Sequence, residues 1–503
     1  MKDAGYATLR NAESIEWSAL PTLPVHRFRD KVVTAIADGA RLSAFFAVRT
    51  QRQTVRLVAV LADDQNGVLH ALCSSVKESF PSLTPECPQA HLFEREIYEQ
   101  TGVMPEGHPW LKPVRFAPAD WPGANPPATP AIGRTDFFKM QGEEIHEVAV
   151  GPVHAGVIEP GHFRFQCHGE NVYHLEISLG YQHRGIEKAL TAWPLGNSLH
   201  LVQTAAGDTS IGHAVTHATA VEGLSRVRVP ARAQALRGVA LELERLANHI
   251  GDLGALAGDV GFLPTAAQCG AIRGDFLNMT ALLCGSRLGR GMVRIGGVAY
   301  DLEPARAAEL LSRLRQGEKA VTAAVNLLWN SSSVLSRFET TGVLSCRQAT
   351  DLGLVGPAAR ASGVYRDVRH DFPTGIYSLF HIPVSTLNAG DVYSRALVRW
   401  LEIQRSIEFI QELVESLPPG DLRNSGTLSM SANRIAVALS EGWRGEICHV
   451  VITDRHGKPA RYKMVDPSFH NWPGLALCLR GQTISDFPLC NKSFNLSYCG
   501  YDL

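Results

Sequence analysis

The apolar positions of the chain repeat with two periods, and the change from one to the other divides it. Residues 54–64, TVRLVAVLADD, are short, apolar and β-branched, which predicts a strand. The flanking segments 32–47 and 67–79 read as helices, giving an α+β segment that ends near Phe116. The stretch 117–133, APADWPGANPPATPAIG, is rich in Pro, Ala and Gly and has no apolar period, so it reads as an interdomain linker. A larger region begins near Phe137. Residues 147–177 predict paired strands that turn at His168-Gly169-Glu170-Asn171. After Arg184 the pattern becomes helical. Leu236, Val239, Ala240, Leu243, Leu246, Ala247 and Ile250 recur on one helical face. Residues 304–329 open with a proline suited to a first helical turn. Residues 391–417 give the longest helical signal, capped by Asp391 and stopped by Pro418-Pro419-Gly420. Residues 446–465 predict a hairpin that turns at DRHGKP.

Length and composition narrow the class. A chain of 503 residues is too long for one small core and predicts two or three domains. Apolar content of 45% and charge of 19% describe an ordinary globular protein. A formal net charge of −1, without a basic run, gives no field that favours nucleic acid. No apolar stretch approaches the ~18 residues of a membrane span. The opening MKDAGYATLRNAESIEW lacks the apolar middle of a secretory signal, so a cytoplasmic setting is expected. The ten cysteines contain no C-x-x-C pair. They predict neither a disulfide scaffold nor an iron–sulfur cluster within this chain, but mostly buried thiols.

Two sets of motifs carry a resemblance. Residues 93–116, FEREIYEQTGVMPEGHPWLKPVRF, resemble the 30-kDa-type subunit of complex I, with Glu94-Arg95-Glu96 on a charged helix running into Gly107-His108-Pro109. Six later blocks occur in family order: GPVHAGVIEPGHFRF (151–165), YQHRGIEKAL (181–190), ELERLANHIGDLG (242–254), GPAARASGVYRDVR (356–369), GDVYSRALVRWLEIQRSI (390–407) and RGEICHVVITD (444–454). They resemble the 49-kDa-type subunit of complex I and the large subunit of group 4 nickel–iron hydrogenases. Fusion of both parts is similar to formate-hydrogenlyase-type hydrogenases. The resemblance implies an α+β fold in three parts. A 30-kDa-like domain (1–116) and a Pro-rich linker (117–136) precede a mainly helical hydrogenase-large-subunit-like body with flanking sheet (137–503). It also implies partners: a small iron–sulfur subunit holding a 4Fe-4S cluster, and membrane-arm and antiporter-like subunits. The chain would then sit peripherally on the cytoplasmic side of the membrane.

At the metal motifs the chain departs from the hydrogenases. Where the family reads Cys-x-x-Cys-x-x-x-His, this chain has Ala206 and Thr209 in place of the cysteines and keeps His213. Near the C-terminus Ser497 and Gly500 stand at the second pair, with Cys499 one residue out of register. Alanine and glycine offer no donor, and neutral hydroxyls are poor substitutes for thiolates. No conventional nickel–iron site is expected, and the end of the chain at Leu503 agrees with a family member that has no tail to clip. Gly207 stands where complex I places a quinone-binding tyrosine, although a quinone stays possible as a ligand. Glu159-Pro160-Gly161-His162 leans to the hydrogenase branch. The resemblance brings Glu159, His162, Asp208, His213, Ser497 and Cys499 toward one cavity, with Arg444 facing it and Glu187 nearby. Glu159, His162, Glu187 and His213 are expected to contribute to a proton path, a task suited to carboxylates and imidazoles of shifted pKa. Three roles follow as expectations: a redox-complex subunit without its own nickel–iron site, an active hydrogenase or quinone reductase, or a non-catalytic scaffold coupled to ion translocation.

Overall fold

The structure, a computed structural model, describes residues 5–50, 54–118, 131–154, 158–424, 426 and 428–503. The N-terminal part holds β1 (Ala7–Leu9), β2 (Ser14–Glu16), β3 (Thr22–Leu23), α1 (Val25–Ala37), β4 (Arg41–Arg49), β5 (Val55–Asp63) and β6 (Val68–Val76). A parallel pair, β7 (Ser79–Pro81) and β8 (Met104–Glu106), flanks α2 (His91–Thr101). The sheet runs β1-β6-β5-β4, with β3 parallel to β6. From α1, Phe28 and Val32 are buried, and the Phe28 ring lies 5.9 Å from Phe45 on β4. The expected strand at 54–64 is β5.

The helices expected at 32–47 and 67–79 are corrected. Helix α1 ends at Ala37, and the segments beyond it are the strands β4 and β6. Most side chains on both are buried. A strand covered on both faces loses its alternation, so its apolar run fits a helical template as well as a strand. The decisive local signal was Asn66-Gly67. Gly67 has φ +63, Asp63 accepts from the Asn66 N–H at 3.1 Å, and the β5–β6 hairpin turns there.

Of the expected linker, residues 119–130 lie outside the described residues, and 131–136 carry neither helix nor strand. The body opens with an antiparallel sheet of β9 (Ile145–Val150), β10 (His162–His168) and β11 (Asn171–Ser178). Helices α3 (Ile186–Ala192), α4 (Ser198–Val202), α5 (Ser210–Ser225), α6 (Ala231–Asp259) and α7 (Leu263–Cys284) follow. A two-strand ribbon, β12 (Val293–Arg294) with β13 (Gly297–Val298), leads to α8 (Pro304–Trp329), α9 (Ser332–Phe338) and α10 (Cys346–Asp351). Then come α11 (Gly356–Arg360), α12 (Val368–Asp371) and α13 (Val392–Glu415). The expected cap of α13 is present: Asp391 accepts from the Ser394 N–H at 2.8 Å. The longest described helix is nevertheless α6, which overruns its predicted apolar face at both ends. Glycines dilute its pattern where neighbours pack close: a Cβ on Gly254 would stand 2.7 Å from Cys269 Cβ on α7.

The C-terminal sheet is β14 (Arg434–Gly442), β15 (Gly445–Thr453) and β16 (Pro459–Val465), with α14 (Pro467–Cys478), α15 (Phe487–Phe494) and α16 (Tyr498–Asp502) behind it. Its edge is completed by β2, which pairs with β14. One strand of the small N-terminal part therefore belongs by pairing to the body, a long-range match that local pattern does not encode.

A buried charge cluster ties these layers together. Arg245 on α6 bonds Glu242 at 3.0 Å and lies 3.6 Å from Glu402 on α13. Arg360 on α11 bonds Glu402 at 2.7 Å and Glu441 on β14 at 2.8 Å. Arg369 bonds Asp367 at 2.6 Å and Glu242 at 3.2 Å, and His249 bonds Glu402 at 2.9 Å. Burial would raise the Glu402 carboxyl, but Arg360 and its other partners hold it well below its ordinary range. Burial and the nearby Asp367 push Glu441 up. Removing one partner from such a cluster strands the others in low dielectric. Glu402→Gln is expected to lower the urea midpoint of unfolding by the equivalent of about 3 kcal/mol. Glu415→Gln, which breaks the exposed pair with Arg315, is expected to cost less than about 0.5 kcal/mol. Equal small shifts for both would contradict the role given to the cluster.

Candidate functional site

The site forms where the β14–β15 tip meets the start of α5. The tip approaches the 355–356 backbone so closely that a Cβ on Gly445, at φ +133, would stand 2.7 Å from the Gly356 nitrogen. Only glycine is accommodated there. The preceding residue, Arg444, is thereby aimed at the loop before α5. Its Nη1 and Nη2 donate to the two Asp208 carboxylate oxygens at 2.6 and 2.8 Å, a bidentate pair, and its Nε donates to the Asn495 carbonyl. The guanidinium lies 3.9 Å from the Trp443 ring centroid. Trp443 Nε1 donates to the Asp208 carbonyl and to Thr209 Oγ1, both at 3.1 Å. Burial alone would raise the Asp208 carboxyl, but Arg444 outweighs it and holds it below its ordinary range.

Beneath this pair, Glu244 of α6 accepts from the Ile211 and Gly212 N–H groups at 2.7 and 3.0 Å, two of the open donors at the start of α5. Burial, with a smaller push from Asp208, raises Glu244 to about 8 despite these bonds. On the other side Asp466 caps α14, accepting from the Ser468 N–H at 2.8 Å, and its Oδ2 lies 3.0 Å from His213 Nε2. Ser468 Oγ accepts from the Ser497 N–H, and Ser497 Oγ accepts from the Gly500 N–H, both at 2.9 Å.

The four positions expected to match the thiolate ligands have other uses in this structure. Thr209 Oγ1 lies within the Arg444–Asp208–Trp443 network, Ser497 Oγ caps α16, and Ala206 is fully buried. A Cβ on Gly500 would stand 2.7 Å from the Asp466 Cγ and Oδ2, so the carboxylate fills the space a side chain there would need. Cys499 is half-buried, 3.4 Å from Ser497 Oγ, and burial followed by the nearby Glu159 pushes its thiol up to about 11. A thiolate-held group needs several soft donors, and Ala206, Thr209, Ser497 and Gly500 supply none. The residues present do not fit a thiolate-held nickel–iron group. Among the described residues, no cluster of three or more His, Cys, Asp or Glu side chains is arranged to hold a metal ion.

Of the residues singled out from sequence, Asp208, His213, Arg444 and Ser497 come together with Thr209 and Gly500. Glu159 adjoins them, accepting from the Tyr498 N–H at 3.2 Å. His162 lies apart on β10, beside Phe137 and 3.4 Å from the Gly151 carbonyl. Glu187 on α3 turns toward β16, where it pairs with Arg461 at 2.9 Å and Lys463 at 3.1 Å. Burial opposes ionisation of Glu187, but Lys463, Arg461 and Arg115 overcome it and hold the carboxyl down at about 2. A carboxylate so held does not take up protons near neutrality. Asp466, Glu244, Trp443 and His449 were not singled out. Asp466-Pro467, an N-cap followed by a first-turn proline, was a readable signal, whereas His449 sits in a plain strand pattern.

Comparison with known proteins places the chain in a family. The family profile described as "Respiratory-chain NADH dehydrogenase, 49 Kd subunit" matches residues 259–437 and 425–502, and the one described as "Respiratory-chain NADH dehydrogenase, 30 Kd subunit" matches residues 29–130. Formate hydrogenlyase subunit 5 of Escherichia coli (strain K12) is 32% identical, over 84% of this chain and 76% of its own length. Carbon monoxide-induced hydrogenase of Rhodospirillum rubrum is 32% identical, over 70% of this chain and 97% of its own. A chain of the membrane-bound sulfane sulfur reductase, an archaeal respiratory membrane complex, superposes with TM-score 0.67 at 24% identity, covering 72% of this chain and 99% of that one, which shows a shared fold.

The raised Cys499 pKa gives a direct test. The alkylating species is the thiolate, so a thiol near 11 is expected to react about two orders of magnitude more slowly at pH 7.5 than an unfolded-chain cysteine. The rate should climb toward pH 11 as the proton is lost. Iodoacetamide labelling read at the Cys499 peptide by mass spectrometry checks this. Reaction at the unfolded-chain rate would contradict the assignment.

Proposed function

The chain belongs to the family of complex I 49-kDa-type and hydrogenase large subunits, fused to a 30-kDa-type domain, and we propose that it serves a membrane-associated, energy-converting oxidoreductase complex as a large subunit with no nickel–iron site of its own. The observation that carries this reading is the Gly500 position, whose side-chain space is taken by the Asp466 carboxylate. The remaining ligand positions, Ala206, Thr209 and Ser497, supply no thiolate. In this reading a small iron–sulfur subunit carries a 4Fe-4S cluster to the site and delivers electrons there, while membrane-arm and antiporter-like subunits complete the assembly. The membership of the relatives in hydrogenases and in a respiratory membrane complex supports such partners. Among the described residues no helix is long and apolar enough to cross a membrane, which suits a peripheral subunit, here placed on the cytoplasmic face.

The chemistry of the site is that of hydrogen-bond donors and proton carriers. Arg444, stacked on Trp443 and charge-balanced by Asp208, is a fixed cation at the site. Glu244, near 8, exchanges a proton within the physiological range. An acceptor that takes up protons with its electrons suits this set, and a quinone is the class that does so: two electrons from the neighbouring cluster and two protons give the quinol.

Metal analysis of the purified complex tests the proposal. Iron and acid-labile sulfide are expected in cluster stoichiometry, with no nickel. One nickel per complex would overturn it. Addition of a short-chain quinone is expected to reoxidise the reduced neighbouring cluster. Complete inertness in that assay would favour the scaffold role.

A further inference from the structure

Behind the Arg444–Asp208 pair, buried side chains join end to end from the site to the far side of α5. Asp466 Oδ2 lies 3.0 Å from His213 Nε2, and His213 Nδ1 lies 3.2 Å from His449 Nε2. His449 Nδ1 and His217 Nδ1 each lie 2.8 Å from the single Tyr462 hydroxyl. His217 Nε2 lies 2.7 Å from Ser198 Oγ, which is also 2.6 Å from the Leu195 carbonyl. All six side chains are buried, and the outer end lies in the first turn of α4, next to exposed Gly196 and Asn197. We propose that Asp466, His213, His449, Tyr462, His217 and Ser198 form a proton wire between the site and this surface.

The donor and acceptor capacities of these groups allow two complete arrangements. In the first, Ser198 donates to His217 Nε2, His217 Nδ1–H to Tyr462, Tyr462 to His449 Nδ1, His449 Nε2–H to His213 Nδ1, and His213 Nε2–H to the Asp466 carboxylate. In the second every bond points the other way. Ser198 donates to the Leu195 carbonyl, and Asp466 carries a proton. The two differ by one proton. A proton entering at Ser198 breaks one N–H or O–H bond and forms one at each step, until Asp466 is protonated. Asp466 then releases a proton to the site, so one enters and one leaves. Each ring must hold a single proton for this to work. For His217 and His449 burial meets that need, pushing His217 down to about 4 and His449 well below its ordinary value. Burial would favour the protonated Asp466, but His213 and Arg444 hold it ionised, as the first arrangement requires. The other titratable groups facing the wire are His470 toward Asp466, and Glu187 and Cys448 toward Tyr462. The wire deepens the reading of the site as proton-exchanging and rests on it only for what receives the proton.

Tyr462 has one proton to share between two Nδ1 atoms, so His217 and His449 must carry opposite tautomers. Ring nitrogen shifts of 15N-histidine in the purified complex, assigned with His217→Gln and His449→Gln, read this directly. Opposite tautomers are expected at neutral pH, and both rings should switch together on acidification. Like tautomers, a switch in one ring alone, or no switch before unfolding would overturn the wire. In Tyr462→Phe the two rings are expected to lose their coupling. The wild-type measurement decides the matter if that variant does not fold. Because the readout is tautomeric, it is independent of whether nickel is found or a quinone reacts.

Discussion

Arg245 sets the position on which the site depends. Fully buried on α6, it donates to the backbone carbonyls of Glu441 and Gly442 at 2.7 and 3.0 Å, so it grips the β14–β15 hairpin at its turn. A guanidinium in that position needs counter-charge, and Glu242 and Glu402 supply it. Those carboxylates in turn need Arg369 and Arg360, which anchor α11 and α12. Each member of the cluster has lost its hydration and is stable only because the others remain. The consequence is geometric: two residues beyond the gripped carbonyls, Arg444 arrives at hydrogen-bonding distance of Asp208.

With the hairpin fixed, the site holds charges of its own. The site holds a guanidinium stacked on Trp443, a carboxylate in the space that a Cβ at Gly500 would need, and a thiol whose pKa burial raises. The buried Arg444 has Asp208 as its counter-ion. His213 bridges Asp466 and His449, with both ring nitrogens in use.

Much of this was legible in the chain. Helix α8 spans the residues expected from its opening proline, Asp391 caps α13, and the 446–465 hairpin turns as its pattern implied. The strands β4 and β6 were not legible from period alone, because burial on both faces removes alternation. In the site, motif positions located Asp208, His213 and Arg444, but they could not show that Glu187 turns away to Lys463 and Arg461. His449 and Tyr462 gave no local signal at all: each is an ordinary strand residue, made chemical by partners on α5 more than 200 positions away.

In the proposed reading the Arg444–Asp208 pair and Asp466 take the space that a thiolate-held metal would need. A density map of the assembled complex, resolving side chains at the β14–β15 tip, tests it most directly. Arg444 is expected to sit on both Asp208 oxygens and the Asp466 carboxylate against Gly500, with no metal density beside Thr209 or Ser497. Metal density between those two residues, with Arg444 swung away from Asp208, would contradict it.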